Sequence, residues 1–330
     1  MSERRYDPTA DEWVTIATDR QERVYQPSDT SCPLCPTRPG GAATELGRAS
    51  YEIAVFDNRF PSMSTDPPAP DVPSDELLRV EPAFGACEVV VYSDDHAQTF
   101  ADLPAGRVRM LVDVWVDRYR ELGGIDGIDY VMPFENKGDV IGVTLSHPHG
   151  QVYGYPDVPP RPARELAAAR RHLERTGRCV ECDVVARELT GGRLVTQHGS
   201  VLAFVPFWAR FPYEVHVVPV PHRPALSELP PHERDDLAVT LQQVARAYDG
   251  LFGFSLPYVM ALHARPTSDR QDWDPVSHLH VEFAPPHRAA DRLKHLAGSE
   301  LAGGAFMTDV APERAAARLR AALDRVSRTP

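Results

Sequence analysis

Apolar positions recur along the chain with two different spacings. Short β-branched runs, CEVVVYS at 87–93 and EVHVVPV at 214–220, predict strands. A helical spacing of apolar residues runs through 107–123, at Val108, Leu111, Val112, Trp115, Tyr119 and Leu122, and is ended by a Gly-Gly pair. The same spacing predicts helices over 234–253 and 312–326, the latter with Pro312 at its start. Each half of the chain therefore consists of strands, a helix and further strands.

The two halves repeat one ordered series of short motifs. The series is C-x-x-C (32–35, 179–182), RFP (59–61, 210–212), E-V-x-V with a histidine eight residues after the glutamate (88–96, 214–222), YVM (130–132, 258–260) and His-x-His (147–149, 278–280). We interpret this order as an ancient duplication and divide the chain into halves 1–160 and 161–330, joined through YPDVPPRP (155–162). The main length difference, proline-rich 62–87, is predicted to be a surface insertion. The fold class we expect is α+β, with one continuous, mostly antiparallel sheet and flanking helices.

Composition narrows the range of functions. The chain has 330 residues, 42% of them hydrophobic and 25% charged, which is ordinary for a globular protein. The net charge of −12 argues against sequence-independent binding of nucleic acid. No apolar run approaches the roughly 20 residues of a membrane span, and the polar N-terminal segment does not resemble a secretory signal. We expect a cytoplasmic protein with neither a nucleic-acid nor a membrane partner.

Four of the five cysteines form the two C-x-x-C pairs, whereas Cys87 stands alone in a predicted strand. In a cytosolic chain this spacing indicates metal or redox chemistry rather than a disulfide framework. A thioredoxin-like pair would need a βαβ context, which the pattern lacks, so zinc is favoured. Within the first half, the four expected zinc ligands are Cys32, Cys35, His96 and His147.

The stretch TLSHPHGQVYGYP, 144–156, carries the most specific pattern of polar residues. If 145–152 is a strand, His147, His149 and Gln151 share one face. With His147 on zinc, a neutral His149 can act as a nucleophile through one free ring nitrogen, and Gln151 can donate its amide to developing negative charge. Gly150 would allow a phosphate close to the backbone. Two solvated histidines at a strand end, or a catalytic metal pair, are the alternatives.

The second half has His278, His280 and Glu282 on the matching face. A carboxylate at 282 would repel a phosphoryl group, so we expect no catalysis there. By the repeat, four residues mirror the first zinc site and predict a second structural zinc: Cys179, Cys182, His222 and His278.

Together these motifs resemble the galactose-1-phosphate uridylyltransferase family of the histidine triad superfamily. HPHGQ (147–151) is similar to the active-site motif of that family, and FENKG (134–138), VFDNRFP (55–61), SDDHAQTF (93–100) and DRQER (19–23) resemble further family segments. The resemblance implies two histidine-triad-like halves that share a half-barrel sheet. It also implies a typical homodimer whose sites are completed across the interface.

The implied reaction is a ping-pong transfer of UMP. His149 takes UMP from UDP-glucose, releasing glucose 1-phosphate, and passes it to galactose 1-phosphate. By the same resemblance, Arg20, Arg23, Asn136 and Thr144 contact phosphate, and Asn58 contacts uridine. Arg59 follows where the family often has an acid, and 303–313, which lacks a lysine before its Phe-Met pair, occupies the place of sugar and partner contacts.

Three alternatives stay open on the sequence. Some family members hold a second metal with a glutamate and three histidines, which match Glu165, His263, His278 and His280 here; the second C-x-x-C favours the cysteine set instead. A related phosphorylase acting on an ADP-sugar or a dinucleoside polyphosphate could use the same scaffold. A zinc-stabilised binding module without chemistry is the third alternative.

Overall fold

The structure, a computed structural model, describes residues 2–18, 32–38, 40 and 43–328. Its strands in these ranges are β1 Ser2–Asp7, β2 Glu12–Ala17, β3 Ala54–Asp57, β4 Val80–Pro82, β5 Ala86–Val91, β6 Tyr130–Lys137, β7 His149–Tyr155, β8 Leu194–His198, β9 Val201–Phe204, β10 Val215–Pro219, β11 Tyr258–His263, β12 His280–Ala284, β13 His287–Ala289 and β14 Arg292–Leu293. Its helices in the same ranges are α1 Ala105–Gly123, α2 Pro160–Thr176, α3 Val180–Glu188, α4 Pro231–Phe252, α5 Gly298–Gly303 and α6 Pro312–Arg328.

One antiparallel sheet of nine strands, counted over the described residues, joins the two halves. Its order is β3-β5-β7-β6-β11-β12-β10-β9-β8, and each half contributes a corresponding trio, β5-β7-β6 and β10-β12-β11. The halves meet where β6 pairs with β11, with Phe134 opposite Ala261. The expected α+β class with a continuous antiparallel sheet is confirmed.

The three helices predicted from apolar spacing are present. α1 starts directly after Pro104, and α4 and α6 each begin with a proline, whose missing N–H needs no partner in the first turn. α4 ends at Phe252 because Gly253 follows with φ 80°, a left-handed conformation that glycine adopts without strain. None of the helices in the described ranges is long and apolar enough to cross a membrane.

The main hydrophobic core lies between the sheet and α1, α4 and α6. Trp115 of α1, Leu241 of α4 and Leu319 of α6 pack in one cluster with sheet residues such as Val152 and Val281, all nearly inaccessible to solvent. Burial of each large apolar side chain contributes about 2 kcal/mol. The opposite face of the sheet is thereby left for α2 and for the polar side chains of the site.

Two local expectations need correction. The strand expected over 145–152 begins only at His149, so His147 lies in the irregular segment before it. The segment 62–87 is not merely a surface insertion: β4 pairs with β1, and Met63 and Ala83 are buried against Cys87 and Tyr153. The helices α2 and α3 were not among the predicted elements.

Candidate active site and metal centres

The two cysteines and two histidines expected in the first half come together. Cys35 Sγ lies 3.4 Å from His96 Nδ1 and 3.6 Å from His147 Nδ1, and the two Nδ1 atoms are 3.3 Å apart. With Cys32, these four residues place all their donor atoms within 4.8 Å of one another. Bond lengths of about 2.0–2.3 Å around a tetrahedral zinc would separate neighbouring donors by roughly 3.3–3.8 Å, so the set fits zinc.

Hydrogen bonds on the far side of each imidazole set its orientation. His147 Nε2 lies 2.7 Å from the Ser93 carbonyl oxygen and donates a hydrogen bond to it. Nδ1 is therefore the atom with the lone pair, and it faces the cysteines. His96 Nε2 is 3.1 Å from Ser146 Oγ in the same way. Burial lowers the pKa of His147 to about 4, so its imidazole is neutral at physiological pH. A neutral imidazole with a hydrogen-bonded distal nitrogen is the usual form of a metal-ligating histidine.

His149 begins β7 and is held by the residue that precedes it in the motif. Its Nδ1 lies 2.7 Å from the His147 carbonyl oxygen and donates to it, so Nε2 carries the free lone pair. Burial lowers the pKa of His149 from its ordinary value, while this hydrogen bond acts in the opposite direction. The imidazole is therefore neutral, fixed and able to attack through Nε2.

Gln151 lies on the same face of β7, and its amide is oriented by two neighbours. The side-chain oxygen accepts hydrogen bonds from Asn58 Nδ2 at 3.2 Å and from the Tyr153 hydroxyl at 3.1 Å. Because the oxygen is engaged, the amide NH₂ is left to face the cavity as a donor. Asn58 Oδ1 also accepts from the Phe60 backbone N–H at 3.0 Å, so much of its hydrogen-bonding capacity is used within the protein.

Three cavities meet at His149. One of about 430 Å³ has an apolar wall that includes Leu34, Phe56, Phe60 and Val89. A second, of about 260 Å³, is lined by Asn136, Thr144 and Gln151, and a third, of about 420 Å³, extends past Lys137 to Ser255 and His287. A cavity with an apolar wall beside a smaller, mainly polar cavity suits a ligand that carries one flat ring and several charged or hydroxylated groups.

Glu45, which was not among the residues expected at the site, lines the apolar-walled cavity. Arg59 Nη1 lies 3.0 Å from Glu45 Oε1, so a carboxylate from a different loop stands beside the arginine that replaces the expected acid. No local motif marks Glu45, and its place beside Arg59 depends on the fold of the loop that follows Cys35.

The residues expected to contact phosphate can be placed only in part. Asn136 and Thr144 lie around the cavities at His149, whereas Arg20 and Arg23 lie outside the described residues. Gly150 has a structural reason on the core face of the strand. A Cβ added there would point into the core, 2.0 Å from the Tyr92 hydroxyl and 2.8 Å from the Phe134 carbonyl oxygen. Glycine is needed because the space behind the strand is occupied, and the expected approach of a phosphate in front of it stays a prediction.

The second C-x-x-C pair forms a matching cluster. Cys182 Sγ lies 3.5 Å from both His222 Nδ1 and His278 Nδ1, and Cys179 Sγ lies 3.7 Å from His278 Nδ1. His278 Nε2 is 2.9 Å from the Pro219 carbonyl, and His222 Nε2 is 3.0 Å from that of Asp274. Although burial opposes ionisation, contacts with the two histidines lower the pKa of Cys179 to about 5. This donor set also fits a tetrahedral zinc.

The residues considered as alternative ligands form a cluster of their own. His263 Nδ1 lies 2.8 Å from Glu165 Oε2, and the His280 ring lies 4.9 Å from that of His263. Because Nδ1 of His278 faces the cysteines, the structure leaves Glu165, His263 and His280 as a separate set of three. The two arrangements therefore do not compete for His278.

A buried ion-pair network occupies the position that matches Gln151. Glu282 accepts from Arg161 Nη2 at 2.5 and 2.7 Å and lies 3.3 Å from His216 Nε2. Burial works against it, but the carboxylates of Glu282 and Glu214 raise the pKa of His216 to about 9. With a guanidinium and an imidazolium already on the carboxylates, this cluster is an ion-pair network rather than a cation site.

The position of His216 opposite Glu282 does not follow from the alignment of the repeated motifs. Val89 lies opposite Gln151 on the neighbouring strand, and His216 lies opposite Glu282. The repeated E-V-x-V motif aligns His216 with Val90 instead, one residue out of register. The shift places an imidazole where the first half has an aliphatic wall.

The geometry defines the class of protein: a duplicated histidine-triad fold with one intact His-x-His-x-Gln site. Comparison with known sequences narrows this class. The N-terminal domain model of galactose-1-phosphate uridyl transferase matches residues 1–159, and the C-terminal domain model matches 166–329. The chain belongs to the galactose-1-phosphate uridylyltransferase family.

Relatives over nearly the whole length agree with this membership. The chain is 40% identical to galactose-1-phosphate uridylyltransferase of Thermotoga maritima, covering 97% of this chain and 98% of that one. It is 33% identical to the enzyme of that name from Rattus norvegicus, covering 96% and 86%. A solved uridylyltransferase superimposes with a TM-score of 0.86 at 35% identity, covering 98% and 99%. An ADP-glucose phosphorylase from Arabidopsis thaliana, with a TM-score of 0.75 at 23% identity over 97% and 98%, shares the fold.

Proposed function

We propose that this protein is a galactose-1-phosphate uridylyltransferase that works through a uridylyl-His149 intermediate. The observation that carries the proposal is the state of His149. Its Nδ1 proton is held by the His147 carbonyl at 2.7 Å, and Nε2 is left free at the junction of three cavities. Such an imidazole is a nucleophile in place, which is the main requirement for phosphoryl transfer.

In the first half-reaction, His149 Nε2 attacks the α-phosphorus of UDP-glucose. An N–P bond forms, the bond from that phosphorus to the bridging oxygen breaks, and glucose 1-phosphate leaves with the electron pair. The Nδ1 proton stays on the ring, where the His147 carbonyl stabilises the positive charge that develops. The Gln151 NH₂ donates to a phosphoryl oxygen, because its amide oxygen is already engaged by Asn58 and Tyr153.

In the second half-reaction, a phosphate oxygen of galactose 1-phosphate attacks the same phosphorus. The N–P bond breaks, UDP-galactose leaves, and His149 returns to its neutral form. We assign the apolar-walled cavity, whose lining includes Asn58, to the nucleoside. Asn136 and Thr144 are assigned to phosphate contacts. Arg20 and Arg23, outside the described residues, are assigned to phosphate contacts on the resemblance alone.

The Glu45 carboxylate is proposed to accept the ribose hydroxyls. It lines the nucleoside cavity, and its pairing with Arg59 at 3.0 Å sets its orientation. Ribose presents two hydroxyl donors, which a carboxylate accepts readily. The acid that the family often carries after the asparagine would thus be supplied from another loop.

We propose that the two cysteine-histidine sets hold structural zinc. Each presents two thiols and two Nδ1 atoms, and the first set fixes the segment that positions His149. Bound zinc would supply a rigid cross-link at each site and no further chemistry. Free thiols that serve as ligands also suit the reducing cytoplasm proposed as the location.

We further propose that the active form is a homodimer. Several large apolar side chains lie exposed near the C-terminal segment and the β9–β10 connection: Phe207, Leu301 and Met307. Large apolar side chains that are exposed in one chain are candidates for burial in an interface. Light scattering after gel filtration tests this part: the mass of one chain would contradict it.

The function is tested by incubating the protein with UDP-glucose and galactose 1-phosphate and following UDP-galactose. The result expected is turnover that His149→Gly abolishes while bound zinc is retained. Turnover of ADP-glucose with phosphate in place of these substrates would contradict the assigned substrates and support a phosphorylase.

A further inference from the structure

The strand that carries the nucleophile has a gap on its core face. At Gly150, between His149 and Gln151, the missing side chain leaves room that the Tyr92 hydroxyl occupies, 2.0 Å from where a Cβ would lie. Tyr92 follows β5 and is fully buried, and its backbone N–H donates to the Pro148 carbonyl at 3.0 Å. Tyr92 therefore contacts the active-site segment from behind at two points.

Glu135 reaches the same place from the strand on the other side. Phe134 pairs with Gln151, and side chains alternate along a strand, so Glu135 lies on the opposite, core face beside Gly150. Only 4% of Glu135 is exposed, and its Oε1 accepts from the Tyr258 hydroxyl at 3.4 Å. Among the described residues, neither Glu135 Oε2 nor Tyr92 Oη has a hydrogen-bond partner. Buried polar groups without a hydrogen-bond partner lower the stability of the fold, so their presence behind Gly150 calls for an explanation.

The charged groups near Glu135 are bound to each other rather than to its carboxyl group. The Lys137 cation acts on Glu135, but its Nζ is bound to Asp249 of α4 at 3.0 Å and lies 5.2 Å from the ring of Tyr258. Burial raises the pKa of Glu135 to about 8, although Lys137 and the hydrogen bond from Tyr258 act against the rise; Asp249 adds to it. The titratable groups facing this carboxyl are thus Lys137, Asp249, Tyr258 and Tyr92, and at neutral pH Glu135 is mostly a protonated acid.

We infer that Glu135 and Tyr92 are positioning residues for the nucleophile: from behind Gly150 they fix the strand on which His149 and Gln151 lie. The inference rests on the proposed role of His149. Neither residue touches the reacting atoms. An uncharged Glu135 can remain packed beside Gly150, whereas a carboxylate there would need hydration and would displace the strand. A displacement of the nucleophile by about 1 Å costs up to roughly a hundredfold in rate.

The test is the single-turnover rate of uridylylation by UDP-glucose between about pH 6 and pH 9.5. We expect the wild-type single-turnover rate to fall about tenfold above pH 8. The concentration of UDP-glucose that gives half the maximal rate should stay unchanged. Glu135→Gln, which stays neutral, is expected to keep the neutral-pH rate within about threefold and to lose the alkaline decline. Tyr92→Phe is expected to lower the rate about tenfold at every pH without changing KM.

Glu88→Gln is the matched control. Glu88 is another buried carboxyl of the same sheet, 8% exposed, but it is paired with Arg118 Nη1 at 3.2 Å and lies opposite Val152 rather than beside Gly150. This variant should retain the alkaline decline. An unchanged decline in Glu135→Gln, with normal uridylylation at neutral pH, would overturn the inference while leaving the proposed function intact. Failure of the wild type to form any adduct would instead refute the proposed function, and this inference with it.

Discussion

His149 and His280 are held in the same way and face different surroundings. Each donates its Nδ1 proton to the carbonyl oxygen two residues earlier, at 2.7 Å for His149 and 2.8 Å for His280. His149 lines cavities together with Asn58 and Gln151, whereas the cavity at His280 also contains Glu165, whose Oε2 lies 3.9 Å from His280 Nε2. The duplicated motif thus holds the imidazole in the same orientation in both halves, with a carboxylate beside Nε2 in the second.

Removing the two histidines separately should therefore give unequal results. His149→Gly should lower kcat by at least about a thousandfold, because it removes the imidazole on which the covalent intermediate is proposed to form. His280→Gly should change kcat less than about tenfold. Steady-state kinetics on both variants, with zinc content measured in parallel, checks this. Equal losses of kcat at unchanged zinc would contradict the assignment of a single nucleophile.

Gln151 and Glu282 each lie two residues after one of these histidines, and substitutions there should affect different properties: kcat at Gln151 and stability at Glu282. Gln151→Glu removes the NH₂ donor and brings a carboxylate towards the phosphoryl oxygens, so kcat should fall by about a hundredfold or more. Glu282→Gln should leave kcat nearly unchanged but lower the free energy of unfolding by about 2 kcal/mol, because Arg161 and His216 each lose one carboxylate partner and keep another, Glu165 and Glu214. Denaturant unfolding and initial rates separate the two effects. A stable, fully active Gln151→Glu variant would contradict the donor role.

Metal analysis should find two zinc ions per chain. Cys32→Ser should lose the ion near His149 and with it most activity, whereas Cys179→Ser should lose the other ion and mainly stability. Cys87→Ser is the matched control, since Cys87 is buried away from both sets and should retain both ions. Elemental analysis of the three variants is the measurement. A full zinc complement in Cys179→Ser would show that the second set does not bind zinc.

The first half-reaction should remain active in mildly acidic solution. Burial lowers the pKa of His149, so the imidazole stays neutral and nucleophilic below the ordinary histidine value of about 6.5. As pH falls, the rate should decline only when the ring is protonated, at a pH below that value. The pH dependence of single-turnover uridylylation gives this pKa directly. An acidic limb centred above about 6.5 would show that His149 is not shielded as the structure indicates.

Glu45 should determine the preference for a ribonucleotide. Glu45→Gln weakens the acceptor while keeping its shape, so kcat/KM for UDP-glucose should fall about tenfold. The same variant should discriminate less against the 2′-deoxyribose analogue. Glu52→Gln, at an exposed position outside the nucleoside cavity, is the control. Undiminished discrimination in Glu45→Gln would remove Glu45 from the ribose site.

Motif order allowed much of this architecture to be predicted. The paired C-x-x-C and His-x-His segments predicted which cysteines and histidines come together in each half, because the spacing of these residues is local and the repeat supplied the partners. The helices with regular apolar spacing were also predictable from local sequence. In α1, the apolar residues from Val108 to Leu122 all lie on the buried face of the helix.

Features that depend on contact between distant segments could not be predicted. The register that places His216 opposite Glu282 is shifted by one residue from the motif alignment, and no sequence signal marks the shift. The reason for Gly150 lies in Tyr92, 58 positions earlier, and Glu45 joins the nucleoside cavity only through its loop. Side chains that meet across strands or loops are determined by packing, which motif spacing does not encode.

The most direct test of a uridylyl-His149 intermediate is the intact mass of the protein after mixing with UDP-glucose and no acceptor. We expect a gain of one uridylyl group on His149 that acid releases and galactose 1-phosphate removes, with UDP-galactose as the product. A mass that stays unchanged with UDP-glucose, while the zinc content shows the protein to be intact, would contradict the covalent mechanism.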